Sequence, residues 1–126
     1  MNVVDSSGWL EYFADARNAG FFAPPIEKVS ELLVPSISIL EVFKRLLAQR
    51  DEDAALQAVA LMSQGRVVDL DLPIALQAAH LGRQHKLPLA DSVILATARV
   101  HSAILWTQDA DFKGLEGVRY VAQRTK

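Results

Sequence analysis

Short aliphatic runs alternate along the chain with longer stretches in which apolar residues return every three or four positions. The short runs are "NVV" (2–4), "ELLV" (31–34), "RVVDL" (66–70), "AILW" (103–106) and "VRYV" (118–121). Their successive apolar, often β-branched positions predict five strands buried on both faces. Helical spacing covers Gly8 to Ala14, Ile37 to Gln49, Asp53 to Gln64, Ile74 to His85 and Leu89 to Val100. Strands separated by helices imply a parallel sheet clad on both sides, a three-layer α/β/α fold. "NAGFFAPP" (18–25), with its glycine and two prolines, is expected to be irregular, and "RDED" (50–53) to break two helices. No repeat, low-complexity tract or linker is visible, so the 126 residues are expected to form one domain spanning 1–126.

Composition narrows the function classes. Hydrophobic residues make up 51% and charged residues 22%, which suits a packed core rather than disorder. A net charge of -2 provides no global basic field, so any contact with nucleic acid must be local. The absence of cysteine excludes disulfides, zinc-thiolate sites and thiol catalysis, and fits a reducing compartment. The N-terminus lacks the basic, apolar and small-residue blocks of an export signal, and no uncharged apolar run approaches about 18 residues. A soluble cytoplasmic chain with no membrane association is expected.

In parallel α/β sheets the ligand site lies beyond the carboxyl ends of the strands, where strand order reverses. Four acids fall at such places. Asp5 follows "NVV" directly, although aspartate there also suits a helix N-cap. Glu41 ends Ser38-Ile39-Leu40-Glu41, which matches a capping box closely, yet a first-turn acid there can also face the sheet edge; spacing alone does not choose. Asp91 opens "LADSVILATARV", a helix that is apolar nearly all round. Complementing the helix dipole contributes only about 0.3 to 1 kcal/mol. That is a small return for a charge in dry surroundings, where pairing or a metal is needed. Asp109 follows "AILW", with Asp111 two residues on. Aspartate after a strand is also ordinary turn chemistry. Thr107 is placed to support the group by hydrogen bonding.

Taken together, these carboxylates point to one rim. Two unit charges about 5 Å apart repel by roughly 3 kcal/mol at an effective dielectric near 20, so a cluster needs a counter-ion or protons. Oxygen ligands without histidine or cysteine select Mg²⁺ or Mn²⁺. Such ions activate water and stabilise the charge of phosphodiester cleavage. One or two such ions at this rim would make nuclease chemistry the expected activity.

Other residues are assigned plainer roles. His80, His85 and His101 lack metal-ligand spacing and are expected at the surface or at helix ends. Lys44 and Arg45, a turn after Glu41, and Arg83 and Lys86, before Asp91, read first as solvated helix faces, with phosphate contact as the alternative. Trp9, Tyr12, Phe13, Phe21 and Phe22 read as core, with a partner surface as the alternative. Glu11 reads as helix surface, Gly65 and Gly82 as packing or helix-terminal glycines, and no phosphate-binding loop is present.

"VVDSSGWLEYF", "LLVPSISILEVFKRLL", "HKLPLADSVILATARVHSAILWTQDADF" and "FKGLEGVRYV" together cover nearly the whole chain. In these blocks the sequence resembles the PIN-domain ribonucleases, and most closely the VapC toxins of bacterial toxin-antitoxin pairs. The resemblance implies a five-stranded parallel sheet, metal-dependent endoribonuclease activity on an RNA substrate, homodimerisation and neutralisation by a cognate antitoxin. Asp5, Glu41, Asp91 and Asp109 match the family's acidic quartet that holds Mg²⁺ or Mn²⁺. Ser6 or Thr107 match positions where a hydroxyl supports the site, and Asp111 occupies the usually secondary acid of the "DF" pair. Two other readings compete. One is a non-catalytic PIN-like domain that binds RNA or protein. The other is a receiver-type Mg²⁺-binding signalling domain, which fits poorly because a single Asp5 ends the first run and no lysine follows the last until Lys126.

Overall fold

The computed structural model describes residues 1–124; Lys126 lies outside them. Strands β1 (Asn2–Val4), β2 (Leu32–Pro35), β3 (Arg66–Val68), β4 (Ile104–Thr107) and β5 (Val118–Tyr120) form one sheet in the order β3-β2-β1-β4-β5. All four neighbouring pairs are parallel. The helices are α1 (Ser6–Phe13), α2 (Ala19–Glu27), α3 (Ser36–Gln49), α4 (Glu52–Met62), α5 (Leu72–His85) and α6 (Leu89–Val100). The expected three-layer architecture is present. Its strand order differs from the 2-1-3-4-5 arrangement of receiver-type folds, which removes the signalling reading.

Successive residues of a strand point to opposite faces, and both faces here are apolar. Val3, Leu33 and Leu105 pack against Ile74, Ala78 and Leu81 of α5 and against Val93, Ile94 and Leu95 of α6. On the other face, Val4, Leu32 and Val34 meet Trp9, Phe22, Ile26, Val42, Leu46 and Met62 from α1 to α4. Within α6 every residue from Ser92 to Ala98 is buried, and buried Thr97 returns its hydroxyl to the carbonyl of Val93 at 2.8 Å. Gly82 of α5 lies where a Cβ would stand 3.3 Å from Ser92 Cβ, which makes it a packing glycine between α5 and α6.

Several expectations need correction, among them the fourth strand, which runs over Ile104–Thr107 rather than 103–106. "NAGFFAPP" belongs largely to helix α2 despite Pro24 and Pro25. Burial of Ala19, Phe22 and Ile26 in the core outweighs the two missing N–H donors, so tertiary packing overrides local propensity. The second strand is shifted by one residue, because Glu31 belongs to a 3-10 turn and Pro35 completes β2. The third stops at Val68, leaving Asp69 and Leu70 outside the sheet. Among the described residues, no helix is long and apolar enough to cross a membrane.

Gly8 lets α1 sit close on β1 and α2. A Cβ there would lie 2.6 Å from a ring carbon of Phe22 and 2.7 Å from Val4 Cγ1. Overpacking costs about 1–3 kcal/mol, against ~1 kcal/mol gained by alanine in a helix. Gly8→Ala is therefore expected to lower the thermal unfolding midpoint. Gly20→Ala, which meets nothing within 4 Å, should leave the midpoint unchanged or raise it. Equal midpoints for wild type and Gly8→Ala would contradict the close approach.

Candidate active site

The switch point of the sheet lies between β1 and β4, because the chain builds outward from β1 to β3 on one side and from β4 to β5 on the other. A cleft of about 520 Å³ opens at the carboxyl ends of the strands there. Asp5, Glu41, Asp91 and Asp109 all line it, with Ser6, Ser7, Leu10, Lys44 and Arg45. Acids from four separate segments thus reach one opening.

Local chemistry explains each position. Asp5 is the N-cap of α1, and its Oδ1 accepts the Gly8 N–H at 3.0 Å, so the capping role foreseen for it coexists with a place in the cleft. The same carboxylate accepts the Ser7 hydroxyl at 2.9 and 3.0 Å and the Thr107 hydroxyl at 2.8 Å. Thr107 Oγ1 in turn accepts the Asp109 N–H at 2.9 Å, which ties the ends of β1 and β4 together. Asp109 Oδ1 accepts the Asp111 N–H at 2.9 Å, so the expected turn chemistry is present as well.

Glu41 is held differently from the capping-box alternative. Helix α3 begins at Ser36 with Pro35 as its N-cap, so Ser38 lies inside the helix and Glu41 in its second turn. The buried Ser38 hydroxyl has no hydrogen-bond partner among the described residues. Glu41 Oε1 instead accepts the Ser6 hydroxyl at 2.6 Å. Asp91 stands in the first turn of α6, half-buried against the other acids.

Asp91, Asp109 and Asp111 each offer a carboxylate oxygen, and these atoms lie within 4.8 Å of one another. Asp111, which the sequence ranks below Asp109, therefore converges with it. Ser7 lines the cleft although the sequence did not single it out; a second hydroxyl in "DSS" was the available signal. His80 is exposed, while His85 and His101 are partly exposed at helix ends, and none lines the cleft.

A family-wide sequence profile of the PIN domain matches residues 3–118. The chain belongs to the PIN-domain family. Solved structures share its fold. A toxin-antitoxin complex from Klebsiella pneumoniae aligns with a TM-score of 0.81 and 24% identity over 94% of this chain and 96% of that one. The sarcin-ricin-loop-cleaving toxin VapC20 of Mycobacterium tuberculosis aligns at 0.74 and 19% identity, over 89% and 92%. DNA-bound VapBC from Salmonella typhimurium aligns at 0.72 and 17%, over 96% of each chain. No curated protein sequence matches the chain.

The cleft of this PIN domain is electrostatically unfinished. Burial pushes the Asp91 carboxyl up to about 7, and the charges of Asp109, Asp5, Glu41 and Asp111 add to the rise. Burial also raises Asp5, to about 6, although hydrogen bonds from Thr107, Gly8 and Ser7 oppose it. Among the described residues, none of these acids forms a salt bridge. A hard divalent cation fits this donor set: several converging carboxylate oxygens, no nitrogen or sulfur, and an excess of negative charge.

The pH dependence follows from these directions. Unfolded, both aspartates titrate near 3.8; folded, they hold protons up to about 6 and 7. Without metal, their contribution to stability is fully present below pH 3.8 and is lost as pH rises through about 7. Asp91→Asn is therefore expected to raise the melting temperature of metal-free protein at pH 8 and to change it little at pH 4. Thermal melts across that range check this, and a stabilisation equal at both ends would contradict it.

Proposed function

We propose that this PIN domain is a Mg²⁺- or Mn²⁺-dependent endoribonuclease and the toxin of a toxin-antitoxin pair, acting in the cytoplasm. The carrying observation is the convergence of carboxylates from four segments on one cleft at the switch point. Asp5, Glu41, Asp91 and Asp109 are the residues assigned to metal binding and catalysis, and the proximity of Asp111 to Asp91 and Asp109 adds it to the set. A bound divalent ion supplies an activated water and neutralises charge building on the phosphate.

The chain's own residues do the rest. Ser7 and Thr107 fix the Asp5 carboxylate through its two oxygens, and Ser6 fixes Glu41. Lys44 and Arg45 lie one turn beyond Glu41 on the same cleft, where they would hold phosphates flanking the scissile bond. Hydrolysis leaves a 3′-hydroxyl and a 5′-phosphate. The toxin role and an antitoxin partner are supported by fold likeness to the Klebsiella pneumoniae toxin-antitoxin complex and to VapBC of Salmonella typhimurium, and a homodimer is part of the same proposal.

The test is cleavage of a panel of structured RNAs by purified protein, with and without Mg²⁺ or Mn²⁺. Asp5→Asn and Asp91→Asn are each expected to reduce cleavage by more than about 100-fold while the protein stays folded by circular dichroism. Wild-type cleavage in either variant would remove the assignment. RNA binding without cleavage in any metal would favour the non-catalytic alternative.

Lys44→Ala and Arg45→Ala should weaken RNA binding at low salt. Each lost phosphate contact to single-stranded RNA should reduce the slope of log affinity against log salt by about 0.7. An unchanged slope in both variants would return these side chains to the role of a solvated face.

A further inference from the structure

Behind the acidic cleft lies a polar network that neither capping nor the ligand set explains. Asn18 immediately precedes α2 at the N-cap position, a place where its side chain ordinarily accepts from the helix backbone. It makes no such bond. Instead, its amide nitrogen donates to Gln108 Oε1 at 2.9 Å and to the Ala122 carbonyl at 3.1 Å. Gln108 Nε2 donates to Glu11 Oε1 at 3.2 Å and approaches the Ser7 carbonyl at 3.5 Å. The second Glu11 oxygen accepts the Asn18 N–H at 2.8 Å. Asn18 and Gln108 are 3% and 4% exposed, so their side chains are desolvated and depend on these partners. Glu11, expected as helix surface, is thus committed to this network through both oxygens.

The place of Gln108 gives the network its consequence. It sits between Thr107, which donates to Asp5, and Asp109, whose N–H is held by Thr107. Ser7, one turn before Glu11 on α1, donates to both Asp5 oxygens. Clamping Gln108 to α1 therefore fixes β4's end relative to β1's end, the two elements that carry Asp109 and Asp5.

We infer that Glu11, Asn18 and Gln108 are positioning residues that set the separation of Asp5 and Asp109 and thereby the affinity of the cleft for a divalent cation. This rests on the metal-binding reading given above. Partners behind a ligand shell fix the orientation of the ligands, and their loss weakens metal binding by about 10–100-fold.

Titration with Mn²⁺ alone, followed by calorimetry, tests the inference, with the melting temperature of each metal-free variant measured alongside. Gln108→Leu is expected to weaken Mn²⁺ binding about tenfold or more. Glu11→Gln, nearly isosteric and short of one acceptor, should weaken it about threefold. A role in stability alone would lower melting temperatures and leave Mn²⁺ affinity at the wild-type value. The double variant separates two routes: loss of the Glu11 charge acting through space persists in the Gln108→Leu background, whereas transmission through Gln108 does not. The inference expects the double variant to bind no more weakly than Gln108→Leu. If Gln108→Leu does not melt cooperatively, Glu11→Gln decides by the same measure. Wild-type affinity in the folded variants, or full additivity in the double variant, overturns the positioning role. Absence of Mn²⁺ binding by the wild-type protein overturns the metal-binding reading itself.

Discussion

Mutual repulsion among carboxylates held at one end of the sheet is the constraint around which this chain is organised. Asp91 and Asp5 both carry raised pKa values because burial and neighbouring acids disfavour their charged forms. The arrangement persists because two apolar layers, one on each face of the sheet, over-determine where the strand ends lie. Helix α6 is the clearest case: with Ser92 through Ala98 buried, its first turn has little freedom to carry Asp91 away from the other acids. Stability elsewhere in the molecule holds these like charges together against their repulsion.

Local and functional roles coincide at these positions rather than compete. Asp5 caps α1 and also lines the cleft, while Asp109 closes a turn onto Asp111 and stands beside Asp91. An aspartate at an N-cap is already fixed by the backbone it bonds, so the remaining lone pairs are presented in a defined direction at little extra entropy cost. Ser7 and Thr107 then restrict the Asp5 carboxylate from two sides. The fold family fixes this architecture, while any activity belongs to the side chains placed on it.

The cations of the cleft complete the picture. Lys44 and Arg45 line the same opening as the acids, yet neither is in a salt bridge among the described residues. With a net charge of -2, the molecule has no general attraction for a polyanion, so recognition of one must be local to such side chains.

The sequence by itself determined the order of the five strands and of every helix except α2, and the parallel three-layer sheet, with burial on both faces. It also located acids at element ends. All of these are written in periodicities of two to four residues and in the chemistry of turns, which neighbouring residues settle among themselves. Tertiary structure alone decided that "NAGFFAPP" folds as α2, since burial of Phe22 and Ile26 came from distant partners. It alone gave Glu41 to Ser6, 35 residues away, instead of to Ser38, and joined Asn18 to Gln108 across 90 residues. Such pairings depend on where packing brings remote backbone together, and the local pattern of polar and apolar positions carries no record of that distance.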